Sequence, residues 1–158
     1  MKLGIVIVSY NVRALLRDCL RSVYEDGART PGLQMTVVVV DNASADGSAE
    51  MVAREFPQTH LVASPENLGF ARGNNVGLGL LGFGDDAGKK EQGITRPEAV
   101  LLLNPDTELH SGALAMLTDF LKTHPHAGGC CPRLNYGDGS FQHSAFRFPG
   151  LAQLALDL

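Results

Sequence analysis

Ala99-Val100-Leu101-Leu102-Leu103-Asn104-Pro105-Asp106 joins an unbroken apolar run to a polar turn. Five consecutive apolar residues closed by turn formers predict a short strand buried on both faces, the kind found inside parallel sheets. The carboxylate that follows such a strand stands where ligands collect in open α/β sheets. There it can hold a divalent cation against a diphosphate.

The same grammar extends outward in both directions. Residues 3–9, Leu-Gly-Ile-Val-Ile-Val-Ser, form a second buried strand pattern. Asn11 is then expected to cap a helix in which Leu15, Leu16, Cys19, Leu20 and Val23 recur at three- and four-residue spacing. A Gly/Pro-containing segment at 27–32 leads to a strand at 35–40 that ends at Asp41. Ser44 or Asp46 caps the next helix, which Pro57 stops near Phe56. A short strand at 60–63, the turn Ser64-Pro65-Glu66-Asn67 and a glycine-dotted helix at 70–81 follow. Residues 82–97, with Asp85, Asp86, Lys89, Lys90 and Glu91, are expected to be an exposed insertion before the strand at 99–103. A helix at 111–123 should turn Leu114, Leu117, Phe120 and Leu121 inward. This β-α alternation predicts an α/β fold: a mainly parallel, Rossmann-like sheet with helices on both faces.

Beyond residue 128 the pattern changes. Residues 129–133 are expected to be a strand, and 134–146 a C-terminal hairpin turning at Tyr136-Gly137-Asp138-Gly139. The tail at 151–158 is mostly apolar and carries no closing signal, so the chain is expected to be truncated.

Composition narrows the function classes. The chain has 158 residues, 44% of them apolar, and a net charge of −4 without a basic block. That is enough for one real core, and it excludes the electrostatic footprint of a nucleic-acid binder. No transmembrane segment is expected, since no run approaches about 18 apolar residues. The first residues enter a strand pattern directly, so a cytoplasmic location is expected. Cys130 and Cys131, adjacent on the expected strand, would point to opposite faces. With His124 and His126 upstream they match no standard zinc spacing.

Three polar clusters follow three strands: Ser9-Tyr10-Asn11, Asp41-Asn42-Ala43-Ser44 and Asn104-Pro105-Asp106. Each alone is an ordinary turn opener. In a parallel sheet, however, their strand ends share one edge, so together they can line one crevice. A further segment, Asn67-Leu68-Gly69-Phe70-Ala71-Arg72-Gly73-Asn74-Asn75-Val76-Gly77, opens a helix with glycines, where free amides favour phosphate and Arg72 can pair with it. Gly77-Leu78-Gly79-Leu80-Leu81-Gly82 satisfies the dinucleotide fingerprint in letters only, because it ends a helix instead of linking the first strand to one. The five histidines are scattered and form no centre.

Taken together, Ile5-Val6-Ile7-Val8-Ser9-Tyr10-Asn11, Val39-Val40-Asp41-Asn42-Ala43-Ser44-Ala45-Asp46-Gly47-Ser48, the segment at 67–77 and Leu102-Leu103-Asn104-Pro105-Asp106 resemble the inverting family 2 glycosyltransferases of GT-A fold, in particular the bacterial rhamnosyltransferase-like branch. Asp138-Gly139-Ser140 and Arg147-Phe148-Pro149 resemble the segment that branch carries next. The resemblance implies a nucleotide-sugar-binding domain at 1–127 and the start of an acceptor-side segment at 128–158. It implies that Ser9, Tyr10, Asn11 and Asp41 hold the nucleoside, with Arg72, Asn74 and Asn104 as further nucleotide-sugar contacts. Asp106 would be the ligand of Mg²⁺ or Mn²⁺ on the diphosphate. The implied donor is a UDP- or dTDP-linked sugar and the implied acceptor a saccharide or lipid-linked hydroxyl. The setting would be cell-envelope polysaccharide synthesis, at the inner face of the membrane.

Two departures stand out. Many members have Asp at the position of Asn104 and Arg at that of Asn74. The family's general base falls beyond Leu158, so no catalytic residue is assigned within these residues, and little transfer is expected from them alone. A sugar-nucleotidyltransferase is the competing enzyme class, but it would want a glycine- and basic-rich loop after the first strand, where this chain has Ser9-Tyr10-Asn11-Val12-Arg13. A non-catalytic nucleotide-binding or interaction domain is the other alternative.

Overall fold

The computed structural model describes residues 1–84 and 94–143. The charged part of the expected insertion, the far end of the expected hairpin, Arg147-Phe148-Pro149 and the apolar tail lie outside the described residues. The chain divides into two compact units, Met1–Asp119 and Phe120–Leu158.

In the first unit four strands, β1 (Lys2–Ser9), β2 (Gln34–Asp41), β3 (His60–Ala63) and β4 (Ala99–Leu103), form one parallel sheet in the order β3-β2-β1-β4. Between them run α1 (Arg13–Ala28), α2 (Ser48–Glu55) and α3 (Gly69–Leu80), and α4 (Ala113–Thr123) follows β4. The nearly continuous apolar runs of β1 and β2 are explained by burial on both faces. Ile5, Ile7, Val37 and Val39 pack with Leu16, Leu20, Val23, Met51, Val52 and Leu114 on one side. Val6, Val8, Val38 and Val40 pack with Leu81 and Ile94 on the other. Period-2 alternation thus feeds two cores from single strands.

Helix α3 approaches the sheet closely because it presents glycine. A Cβ at Gly73 would stand 2.8 Å from Val8 Cγ1, and one at Gly77 would overlap Val6 Cγ1. The letters that imitate a dinucleotide fingerprint are therefore partly a packing surface: Gly77 and Gly79 are buried within α3.

Four local expectations are corrected. Asn11 does not cap α1: it sits at φ 52°, whereas a capping residue needs an extended backbone, and Val12 takes the N-cap position without a side-chain bond. Helix α4 starts at Ala113, not at residue 111, because Gly112 is left-handed (φ 87°). Within α4, Leu114 and Thr118 are buried, while Phe120 is exposed and stacks on His124 at 4.2 Å between ring centroids. At the far end of the expected insertion, Ile94 is buried in the α3-side core rather than exposed.

In the second unit, β5 (Leu134–Asn135) and β6 (Phe141–Gln142) pair antiparallel, with Tyr136 N donating to Ser140 O at 2.8 Å. This is the expected hairpin, as far as it lies within the described residues. Residues 129–133 are not a strand. Gly129 and Pro132 disfavour one, and both Cys130 and Cys131 are exposed instead of alternating between faces.

Candidate functional site

The strand order sets where a ligand can enter. From β1 the chain proceeds outward through β2 to β3, then returns to place β4 on the other side of β1. The loops leaving β1 and β4 therefore diverge, and the C-terminal ends of these strands are the topological switch point of the sheet. The register brings the expected clusters level. Ser9 pairs with Asp41 on β2, and Asn104 follows directly after the Ile7–Leu103 pair.

At this edge the core turns polar without leaving the interior. Ser9 is fully buried, and Asp41 and Asn42 are each only 3% exposed. Ser9 Oγ, Asp41 Oδ1 and Asn42 Oδ1 have no hydrogen-bond partner among the described residues. Buried oxygens are normally paired, and an unpaired one costs about 1–3 kcal/mol, so these three are candidate contacts for a polar ligand. The strand pleat sorts them. Ser9 and Asp41 continue the rows that face α1 and α2. Asn42 continues the other row, and its Nδ2 donates to Gly69 O at the start of α3 at 3.4 Å.

The loops after β1 and β2 are braced against each other. Asn42 N donates to Ser9 O at 2.8 Å, Asn11 N to Ser44 Oγ at 2.9 Å, and Ala45 N to Asn11 Oδ1 at 2.8 Å. Arg13 N, at the start of α1, donates to Asp46 Oδ2 at 2.8 Å, so the helix is capped from the neighbouring loop. Asp46 Oδ1 accepts from the Ser48 amide at 3.0 Å and from its hydroxyl at 2.5 Å. The Ser48 hydroxyl, followed by the Arg13 and Ser48 amides, holds the Asp46 carboxyl below the usual carboxylate range against the opposing effect of burial. Two non-glycine residues, Asn11 and Ala43 (φ 61°), are left-handed in these loops. Such conformations persist where surrounding bonds over-determine them, as they do here.

The remaining expected residues fall into two groups. Tyr10 is half exposed on the β1 loop, and Asn104 and Asp106 are exposed after β4. Thr107 N donates to Asn104 O at 3.2 Å, closing the Asn-Pro-Asp turn. Arg72 and Asn74 lie on α3 with their side chains engaged locally. Arg72 pairs with Glu66 at 3.7 Å, and Asn74 Nδ2 donates to Phe70 O of its own helix at 2.9 Å. The bracing role of Asn11 and Asp46 was not anticipated from sequence. The one local signal was the Asp46-x-Ser48 spacing, which suits an Asx turn.

Among the described residues no cluster of three His, Cys, Asp or Glu side chains could by itself enclose a metal. The donor set still fits a hard divalent ion of the Mg²⁺ type. Such ions are commonly held by one or two carboxylates together with substrate phosphates and water, and Asp106 offers an exposed carboxylate at the switch point.

The comparisons with known proteins agree with this architecture. The model of glycosyl transferase family 2 matches residues 4–149. An N-acetylglucosaminyl-diphospho-decaprenol L-rhamnosyltransferase of Mycobacterium tuberculosis (strain CDC 1551 / Oshkosh) is 30% identical over 118 residues, 74% of this chain and 37% of its own length. The chain thus spans a little over a third of that curated relative. Among solved structures, S. aureus TarS 1-349 in complex with UDP-GlcNAc superposes with a TM-score of 0.58 at 23% identity. It covers 79% of this chain and 32% of its own. The mannosyltransferase PcManGT from Pyrobaculum calidifontis, in complex with GDP-Man and Mn²⁺, gives 0.56 at 24% identity, covering 75% and 32%. These two likenesses establish the shared GT-A fold.

Proposed function

The chain belongs to glycosyl transferase family 2, and from that premise we propose that its strand edge binds a nucleoside-diphosphate sugar with a divalent cation, as the donor half of an inverting sugar transfer. The observation that carries this reading is the set of three buried oxygens on Ser9, Asp41 and Asn42, unpartnered among the described residues, at the C-terminal ends of β1 and β2 beside the switch point. Acceptors of this kind suit the N–H and O–H groups of a nucleoside. The ligands named for the solved relatives, UDP-GlcNAc for TarS and GDP-Man with Mn²⁺ for PcManGT, support the same class of donor.

In this reading Ser9 and Asp41 hold the nucleoside, Tyr10 flanks it, and the braced β1 and β2 loops keep those groups preorganised. Asp106 holds the cation at the diphosphate, with Asn104 beside it. A bound divalent ion supplies charge neutralisation for the departing nucleoside diphosphate. The acceptor hydroxyl attacks the anomeric carbon from the face opposite the diphosphate and loses its proton to a carboxylate base, so configuration inverts. Neither Glu108 nor Asp138 is assigned that role. Arg72 and Asn74 would contact the donor only after leaving Glu66 and Phe70 O. The acceptor class we infer is a lipid-linked saccharide in cell-envelope synthesis at the inner membrane face. The rhamnosyltransferase relative, whose name specifies a diphospho-decaprenol substrate, supports that choice. No helix among the described residues is long and apolar enough to cross a membrane.

Titration calorimetry of the full chain with UDP and with dTDP, each with and without Mn²⁺, tests the proposal. Saturable binding strengthened by Mn²⁺ is expected. A folded chain that binds neither nucleotide would overturn it.

A further inference from the structure

Three side chains on α1 hold backbone groups along the segment that follows β4. Cys19, Ser22 and Asp26 are spaced by three and four residues, so they share one face of the helix. The Cys19 thiol, fully buried, lies 3.6 Å from Asn104 O as a donor. The Ser22 hydroxyl donates to Cys19 O at 2.7 Å, which orients its lone pairs toward Leu109 N, its donor at 2.9 Å. Asp26, 2% exposed, accepts from Gly112 N through Oδ1 at 2.5 Å and from Leu114 N through Oδ2 at 2.8 Å. Four backbone groups of the segment 104–114 are thus held from one helix face: Asn104 O and the Leu109, Gly112 and Leu114 amides.

Asp106 rides on the backbone between the first two of these anchors. Burial first, then the charges of Asp106 and Glu108, push the Cys19 thiol up to about 12. We propose that Cys19 and Ser22 are positioning residues that set the place of Asp106 for the divalent cation, so that α1 and not β4 alone determines the metal dependence of donor binding. The geometry is that of outer-shell support: buried donors and acceptors on a rigid helix fix a loop whose exposed carboxylate does the binding. This inference rests on the donor-site reading above.

The test compares the unaltered chain with Cys19→Ala, Ser22→Ala and Cys19→Ser by calorimetry with UDP and with dTDP, each in Mn²⁺ and in chelator, with thermal melting run alongside. The expected readout is the ratio of the two affinities for each nucleotide. Cys19→Ala and Ser22→Ala should reduce the Mn²⁺ enhancement about tenfold while metal-free affinity changes little. Cys19→Ser, which retains a donor toward Asn104 O, should preserve the enhancement. A purely structural role would lower the melting temperature and both affinities together, leaving the ratio unchanged. That result, or an intact ratio in folded alanine variants, would overturn the inference and leave the donor site standing. A wild type that binds neither nucleotide would overturn both.

Discussion

Arg17 grips both carboxylate oxygens of Glu55, Nε to Oε2 at 2.7 Å and Nη2 to Oε1 at 3.0 Å, and so ties α1 to α2. Arg54 adds a third contact to Oε1 at 2.7 Å. The Arg17 hydrogen bond first, then that of Arg54, hold the Glu55 carboxyl at about 2, below its ordinary 4.5. A carboxylate depressed in the folded state stabilises fully above its unfolded value and loses that contribution as protons reach it. The contribution should be intact at pH 7 and fade between about 4.5 and 2. Both side chains are nearly a third exposed, so solvent and salt weaken the pair. Glu55→Gln should be less stable than wild type at pH 7, with the gap narrowing toward pH 2 and in high salt, as followed by thermal melting.

Asp41 and Asp106 should separate by metal dependence. Asp41 is buried beside Ser9 and accepts the Ser44 amide at 2.9 Å, whereas Asp106 is exposed after β4. Asp41→Asn should weaken UDP or dTDP about tenfold or more whether or not Mn²⁺ is present, as loss of a charge-assisted hydrogen bond does. Asp106→Ala should remove only the Mn²⁺-dependent part. Calorimetry in Mn²⁺ and in chelator distinguishes them, and an Asp106→Ala chain with unchanged Mn²⁺ enhancement would sink the metal assignment.

Alanine at Gly77 tests the close approach of α3 to β1. Replacing a helical glycine normally gains up to about 1 kcal/mol. Here the new methyl would overlap Val6, which is fully buried and branched at Cβ, and overpacking of that sort costs about 1–3 kcal/mol. The net effect of Gly77→Ala should be destabilising in denaturant unfolding. Gly73→Ala, with 2.8 Å to Val8 Cγ1, should be milder.

The thiols should divide two to one. Cys130 and Cys131 are exposed, while Cys19 is buried with its thiol pushed to about 12. Because the thiolate is the reactive form, an aromatic disulfide reagent at pH 8 should modify two thiols quickly in the native chain. The third should react only on unfolding. Fast modification of all three would contradict the burial of α1 against the Asn104 turn.

Much of this protein followed from local pattern. The apolar runs ending at Ser9, Asp41 and Leu103 are short, bounded by turn residues and interleaved with three- and four-residue periodicity, which is the pattern of strands between helices of a parallel sheet. Because parallel strands share their C-terminal edge, the polar clusters after them lie along that one edge. What tertiary structure decided is the use of each polar side chain. Asn11 braces Ala45 instead of capping α1, Asp46 caps that helix from the neighbouring loop, and Asp26 receives the first amides of α4 from far away in sequence. Residues 129–133 were expected to be a strand but carry Gly129 and Pro132, which disfavour one, and Phe120 had the spacing of a core residue but is exposed and stacks on His124. The reason is physical: hydrophobic periodicity is a property of a dozen neighbouring residues, whereas a hydrogen bond goes to whichever partner the packed fold brings within about 3 Å.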